Sequence, residues 1–375
     1  MGKELEVIRV TGRIVVAIAA VWFCLPAAGQ NGSFLEWSVP TASSLPLHIV
    51  PASSSVFFFT ESNKNRVAQL DTSANAFTEW VLPAPSMPHG IVLSSSSSIA
   101  FCAFTGNYVG VLDTGTSVLT QWTVPTASAG PIHLDASGST FFFTEASANK
   151  IALLDPVAGQ ITEWVIPTPS STPRGVAVGL NGKVFVAELN TNKIAMLNTV
   201  TNTITEWTVP GVRQVEHLRF VGGLVYYGDL GSSMIGVLNP NLNTVTEGPA
   251  PTPNAAIPDI FVSSSLINFT ERNANKIGRF NPALQKGITK AVTPVVNSVS
   301  PQISPVSATT VTLKPTQTTV QPSSANVAGV VTGGFTEWTI PTAASGPLGI
   351  NVVGNMVVFT EYNAGKIATL TVGTH

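Results

Sequence analysis

The sequence predicts an all-β, seven-bladed β-propeller with four strands per blade, its ring closed by an N-terminal strand that completes the last blade. Three observations carry this. A unit of about 42 residues recurs seven times, each unit holds one short marker that in five of the seven ends in Glu-Trp, and the two ends of the chain supply complementary parts of one blade. A four-stranded repeat of about 40 residues cannot bury its faces alone and must pack against neighbours around an axis.

The marker reads Phe77-Thr78-Glu79-Trp80 and recurs as Phe34-Leu35-Glu36-Trp37, Leu119-Thr120-Gln121-Trp122, Ile161-Thr162-Glu163-Trp164, Ile204-Thr205-Glu206-Trp207 and Phe335-Thr336-Glu337-Trp338. Val245-Thr246-Glu247-Gly248 keeps all but the Trp. After each marker comes a Pro-rich turn and then three apolar stretches, as in Arg174–Val178, Lys183–Glu188 and Lys193–Leu197. With the marker strand these make four short strands.

Aligning the first strands gives His48, Gly90, His133, Gly175, His217, Asp259 and Gly349 as equivalent positions, with steps of 42, 43, 42, 42, 42 and 90 residues. The long step holds an insertion, residues 287–334, rich in Thr, Val, Pro and Ser, between the third and fourth strands of the sixth blade. Its composition predicts a long, poorly ordered excursion from the rim, with its Val content leaving a small added hairpin open. The seventh unit supplies three strands, and Phe34–Val39 is a fourth strand without a blade of its own. Pairing the two removes exposed sheet edges. The propeller domain thus runs from 34 to 375.

Composition agrees. Of 375 residues, 44% are hydrophobic and 10% charged, with 27 Pro and 31 Gly, which suits short strands and tight turns. Lys plus Arg number 18 against 20 Asp plus Glu, without a basic patch, so nucleic acid is excluded as a partner. Lys3, Arg9 and Arg13, the apolar run Ile14–Leu25 and the small residues Ala27-Ala28-Gly29 read as a signal peptide over 1–29. The expectation is a secreted, periplasmic or extracellular monomer with no membrane span after cleavage. Cleavage leaves Cys102 as the one cysteine, in the apolar strand Ala100–Phe104, where a buried inert thiol is expected.

Two positions per blade should approach the central channel. At the second-strand ends stand Glu61, Ala103, Glu145, Glu188, Asp229, Glu271 and Glu361. The six acids read either as a charged ring for a divalent cation or as structural groups meeting a turn amide or the Lys or Arg five residues on. At the first-strand positions, His48, His89, His133 and His217 lie at one level with Arg174 and Glu216, which read as ligand-binding groups. Imidazoles on neighbouring blades can ligate a transition metal or act as a general base; they can equally fill a narrow channel. His89 stands one residue out of phase with His48 and His133, so by strand alternation it need not point where they point. Asn268-Phe269-Thr270 has the glycosylation pattern but falls within a strand.

The phrase Phe141-Phe142-Phe143-Thr144-Glu145, Asn149-Lys150-Ile151, Ile161-Thr162-Glu163-Trp164, Ile166-Pro167-Thr168-Pro169, with its counterparts in every blade, resembles the streptogramin B lyase (virginiamycin B lyase) family. That resemblance implies ring opening of a cyclic depsipeptide antibiotic by elimination, with magnesium polarising the ester and a histidine as base. Carried over by position, the family's two histidines fall on Pro258 and Leu348, one glutamate on Gly346 and the other on Glu361. Of these four, Glu361 alone keeps the chemistry. The sequence therefore points to a propeller that binds a small molecule, glycan or protein at its central face. The alternative is a lyase of this family or a lactonase-like hydrolase, dependent on Mg or another divalent cation at the channel.

Overall fold

The computed structural model describes residues 28–373, apart from 96, 212–213, 264–265, 282–286 and 333. Residues 1–27 of the expected export signal lie outside them. Among the described residues the chain is all-β, with one short 3-10 turn at Ser62–Lys64, and no helix is long and apolar enough to cross a membrane. Five antiparallel sheets have five strands each and a sixth has nine.

Each repeat forms a meander from the channel outwards. Pro131–Ser137, Thr140–Glu145, Lys150–Asp155 and Gln160–Val165 pair in that order. Alternating side chains pack the two faces against adjacent sheets, so one cluster joins Phe58 and Trp80 to Ile99, Phe101 and Leu112 of the next repeat. The marker tryptophans tie these layers laterally. Trp37 Nε1 donates to Asn75 Oδ1 at 3.0 Å, Trp80 to Ser117 Oγ at 3.0 Å, Trp164 to Asn202 at 3.1 Å and Trp207 to Asn243 at 2.9 Å. Every acceptor sits at positive φ in the hairpin turn of the following repeat, a conformation that Asn tolerates better than most residues.

The ends of the chain meet as expected. The strand Ala28–Ser38 pairs with Lys366–Val372, from Gly32 opposite Val372 to Ser38 opposite Lys366. First strands pack side by side, and Pro347–Val353 lies against Pro46–Pro51. Threonines clasp four of these junctions. Thr60 Oγ1 donates to His89 O at 2.7 Å, Thr144 to Arg174 O at 2.6 Å, Thr270 to Leu348 O at 2.8 Å, and Thr360 to Leu47 O at 3.0 Å, the last joining the final repeat to the first. Thr360 Oγ1 also accepts the Gly349 N–H at 3.0 Å. Thr360→Val keeps the shape and leaves both buried backbone partners unsatisfied, so we expect a loss of about 1–3 kcal/mol, read as a lower denaturant midpoint at unchanged m-value.

The insertion corrects the expectation of a loose excursion. Residues 288–332 form six strands that run round the outside of the molecule and add an outermost strand to one sheet after another. Ile288–Ala291 pairs with Thr244–Pro249, Pro294–Ser298 with Thr203–Thr208, Gln302–Pro305 with Gln160–Val165, Ala308–Thr312 with Val118–Thr123 and Pro315–Thr319 with Ala76–Val81. Ser323–Thr332 then lies between Ala28–Ser38 and Phe335–Thr339, which makes the ninth strand of the large sheet.

A seven-residue repeat explains this belt. Val292, Val299, Val306, Leu313, Val320 and Val327 follow one another at intervals of seven, and each packs against a different core cluster. The backbone N–H groups of the first five donate to Asn243, Asn202, Gly159, Ser117 and Asn75 at 2.8–2.9 Å. Four of these acceptors are the turn residues that also hold a marker tryptophan. Seven extended residues span at most about 25 Å, enough to carry the chain from one sheet to the next.

Candidate functional site

The first strands bring all four internal histidines together. His48, His133, His217 and Asp259 line a cavity of about 230 Å³ with Asp135, Arg219 and Asn351. Ring centroids of His48 and His133 are 4.5 Å apart, His133 and His217 5.0 Å, and His48 and His217 5.7 Å. His89 joins them, 6.0 Å from His48 and 5.9 Å from His133. Alternation alone leaves His89 free to point elsewhere, but its strand carries a β-bulge here, with the register shifting between Pro88 and Ile91 as it does between Pro46 and Ile49 in the strand of His48. A bulge inserts one extra residue and re-aims the side chains beside it.

Glycine makes room for this cluster. A Cβ on Gly90 would sit 2.8 Å from His133 Cα, and one on Gly175 would sit 2.8 Å from His217 Cα. The inner strands therefore approach too closely for side chains at every position, and histidines alternate with glycines round the axis.

Burial governs the protonation of these rings. It holds His48 and His133 well below the ordinary histidine range, with neighbouring imidazoles adding to the effect. His89 is pushed down to about 3 by burial and then by the Arg174 charge. These three imidazoles are neutral at physiological pH and keep a free lone pair. Two ring nitrogens, His133 Nε2 and His89 Nδ1, are buried without a hydrogen-bond partner. Asp259 behaves oppositely. Burial raises its carboxyl, but the charges of His217 and Arg219 outweigh that and hold it below the ordinary range.

Asp259 and Arg219 are site residues that the sequence reading did not single out. His217 Nδ1 lies 3.0 Å from Asp259 Oδ1, and Arg219 Nη1 lies 2.7 Å from the same ring nitrogen. Nδ1 thus faces an acceptor and a donor at once, and the tautomer decides which it engages. Both residues had a signal: Asp259 shares the repeat position of His48, and Arg219 lies two residues after His217, on the same strand face. Arg174 and Glu216, expected as ligand groups, pair with one another at 3.4 Å.

The second-strand acids do not form a common site. Among the described residues no three of Glu61, Glu145, Glu188, Asp229, Glu271 and Glu361 bring ligand atoms within 4.8 Å of one another. Nor do the glutamates pair with the Lys or Arg five residues on. Those cations reach the marker glutamates instead: Lys150 to Glu163 at 3.3 Å, Lys193 to Glu206 at 3.7 Å, Lys276 to Glu337 at 3.0 Å, Lys366 to Glu36 at 3.2 Å and Arg66 to Glu79 at 3.7 Å. Each second-strand glutamate is buried against the marker glutamate of its own sheet. Burial, then the neighbouring carboxylate, pushes Glu61 and Glu145 up to about 9 and Glu361 up to about 8. Glu188 and Glu271 are likewise raised to about 8, burial foremost. Asp229 meets turn amides, accepting from Gln214 and Gly231 at 2.9 Å.

Magnesium does not fit the positions that the family resemblance singles out. Pro258, Leu348 and Gly346 offer no side-chain oxygen or nitrogen, and Glu361 is fully buried beside Glu36. One protonated carboxyl cannot supply a near-octahedral oxygen site. Cys102 is fully buried, and burial raises its thiol well above the ordinary range, as an inert thiol requires. Asn268 is buried too, its Oδ1 accepting from Arg279 Nε at 2.7 Å.

Comparison with known proteins places this geometry. No curated protein matches the chain. Among solved structures, virginiamycin B lyase from Staphylococcus aureus superposes with a TM-score of 0.72 at 20% identity, covering 91% of this chain and all of that one. A catalytically inactive variant of that enzyme with quinupristin gives the same TM-score at 19% identity and the same coverage. A streptogramin B lyase structure matches at 0.72 and 20%, over 92% of this chain and 98% of its own. At such identities the likeness is one of fold. The virginiamycin B lyase family model matches residues 19–265, about two thirds of the sequence, and so this chain belongs to the virginiamycin B lyase family.

Proposed function

We propose that this protein is a secreted, seven-bladed member of its family that binds a small polar ligand in the central channel and does not open cyclic depsipeptides. The count of seven follows when the nine-stranded sheet is taken as two blades bridged by Ser323–Thr332. Export rests on the N-terminal run of basic, apolar and small residues. The observation that carries the reading is the chemistry at Pro258, Leu348 and Gly346, where no side chain accepts a proton or donates an oxygen to a metal.

Convergent polar groups lie instead in the histidine-lined cavity, whose size suits a small polar molecule or a side chain offered by a glycan or protein. Its charges balance locally, Arg219 against Asp259, which favours a neutral ligand. A thermal-shift screen of monosaccharides and small polar compounds tests this, with every stabilising compound retested on Arg219→Met. We expect the variant to weaken binding more than about tenfold, the loss of one charged hydrogen-bond donor. Compounds that bind the variant unchanged would place the ligand elsewhere.

A further inference from the structure

We propose that His48, His89 and His133 hold one borderline transition-metal dication, of the zinc, cobalt or copper class, where the first strands of three consecutive repeats meet. The site goes beyond the ligand-binding reading, because metal uptake is scored without any organic ligand.

Three imidazoles from three consecutive blades offer nitrogens that all lie within 4.8 Å of one another. A tetrahedral zinc site with bonds of about 2.0–2.1 Å places its nitrogens about 3.3 Å apart. Ring rotation about χ2 supplies a change of that size. Ring-centroid separations of 4.5, 5.9 and 6.0 Å bracket the spacing of about 5 Å that such bond lengths imply. A second observation points to a ligand. His133 is 2% exposed, yet its Nε2 has no partner, and neither has His89 Nδ1. Buried polar atoms are normally satisfied, so two orphaned nitrogens on neighbouring rings of one cluster call for a ligand or an ion.

A rival set, His48, His217 and Asp259, also lies within 4.8 Å. Its carboxylate is already spent. Asp259 Oδ1 accepts the Ile260 N–H at 2.8 Å and meets His217 and Arg219, while Oδ2 accepts the Ile350 N–H at 3.1 Å. Arg219 Nη1 already lies 2.7 Å from His217 Nδ1, so that ring nitrogen is engaged as well. Three neutral nitrogen donors without a free carboxylate select borderline dications over magnesium and calcium, which demand oxygen. Three protein ligands leave a fourth position open.

The test uses tag-free mature protein, stripped with chelator and titrated with Zn(II) by calorimetry and with Co(II) by visible absorption. We expect one equivalent of each, with the cobalt spectrum of a four-coordinate site and no competition from millimolar magnesium. His89→Ala and His133→Gln, checked for an unchanged thermal midpoint, should each weaken zinc binding by about 100-fold or more, beyond the effect of losing an outer-shell partner. His217→Ala should weaken it less than tenfold. Failure of the folded wild type to bind either ion overturns the proposal. So does a pattern in which His217→Ala abolishes binding while His89→Ala does not.

Discussion

Excising the belt, by replacing residues 281–334 with a two-residue Asn-Gly turn, is expected to convert a monodisperse protein into one that associates through its sheet edges. The graft is geometrically simple, because Phe280 and Phe335 are directly paired across adjacent strands. Every sheet keeps its four-strand meander but loses the strand that covers its outer edge. The marker strands, among them Ala76–Val81 and Gln160–Val165, would then present unpaired N–H and C=O groups to solvent, the feature that drives edge-to-edge pairing. Leu313, 8% exposed beside Trp80 and Leu82, would leave a gap in the core. Size-exclusion chromatography with light scattering should show the monomer replaced by higher-mass species, and thermal unfolding should become irreversible. The milder Leu313→Ala should cost about 2–3 kcal/mol and speed amide exchange mainly in Ala308–Thr312. A monomeric excision variant as heat-stable as its parent would show that the belt is ornament.

Alkaline pH should destabilise the fold well before lysine or arginine titrates. Glu61, Glu145, Glu188, Glu271 and Glu361 are raised to about 8 or 9 in the folded chain, far above a free glutamate. The sign follows from proton counting. Between the ordinary glutamate range and pH 9 the folded state binds more protons than the unfolded one, so stability is fullest below the lower value and is lost as pH rises through the upper one. Each such group contributes at most about 1.4 kcal/mol per pH unit. Glu36 and Glu163 work the other way, since hydrogen bonds from Thr342 and Thr126 and their lysines outweigh burial and lower them. They cost stability below about pH 4. A thermal midpoint highest near pH 4–5 and lower by more than about 10 °C at pH 9.5 is expected. Glu145→Gln, whose amide donates permanently to Glu163, should flatten part of that decline and be more stable than wild type at pH 9.5. A flat profile between pH 6 and 9.5 would contradict the shared-proton pairs.

The propeller was legible because each blade repeats a phrase whose parts have fixed jobs. The tryptophan marks an outer strand, and the apolar triplets alternate as half-buried strands must. The belt was hidden because its strands are largely exposed, with one anchor in seven residues turned inwards, and a search for the period of two passes over Val292, Val299, Val306, Leu313, Val320 and Val327. The histidine cluster was legible from the shared repeat position of His48, His133 and His217. His89 was not, because a bulge overrides alternation. The second-strand glutamates were matched to Lys or Arg by sequence spacing, whereas the true partner of each cation is an acid on the fourth strand.

The most direct test of the central claim, a lyase fold without lyase chemistry, is to incubate the purified protein with a streptogramin B antibiotic and magnesium at neutral pH and follow the antibiotic by reversed-phase chromatography. Elimination changes no mass, so retention time is the readout. The cyclic compound should elute unchanged after prolonged incubation. Accumulation of the linear product, in proportion to protein added, would contradict the claim and return the chemistry to Glu361 and its neighbours.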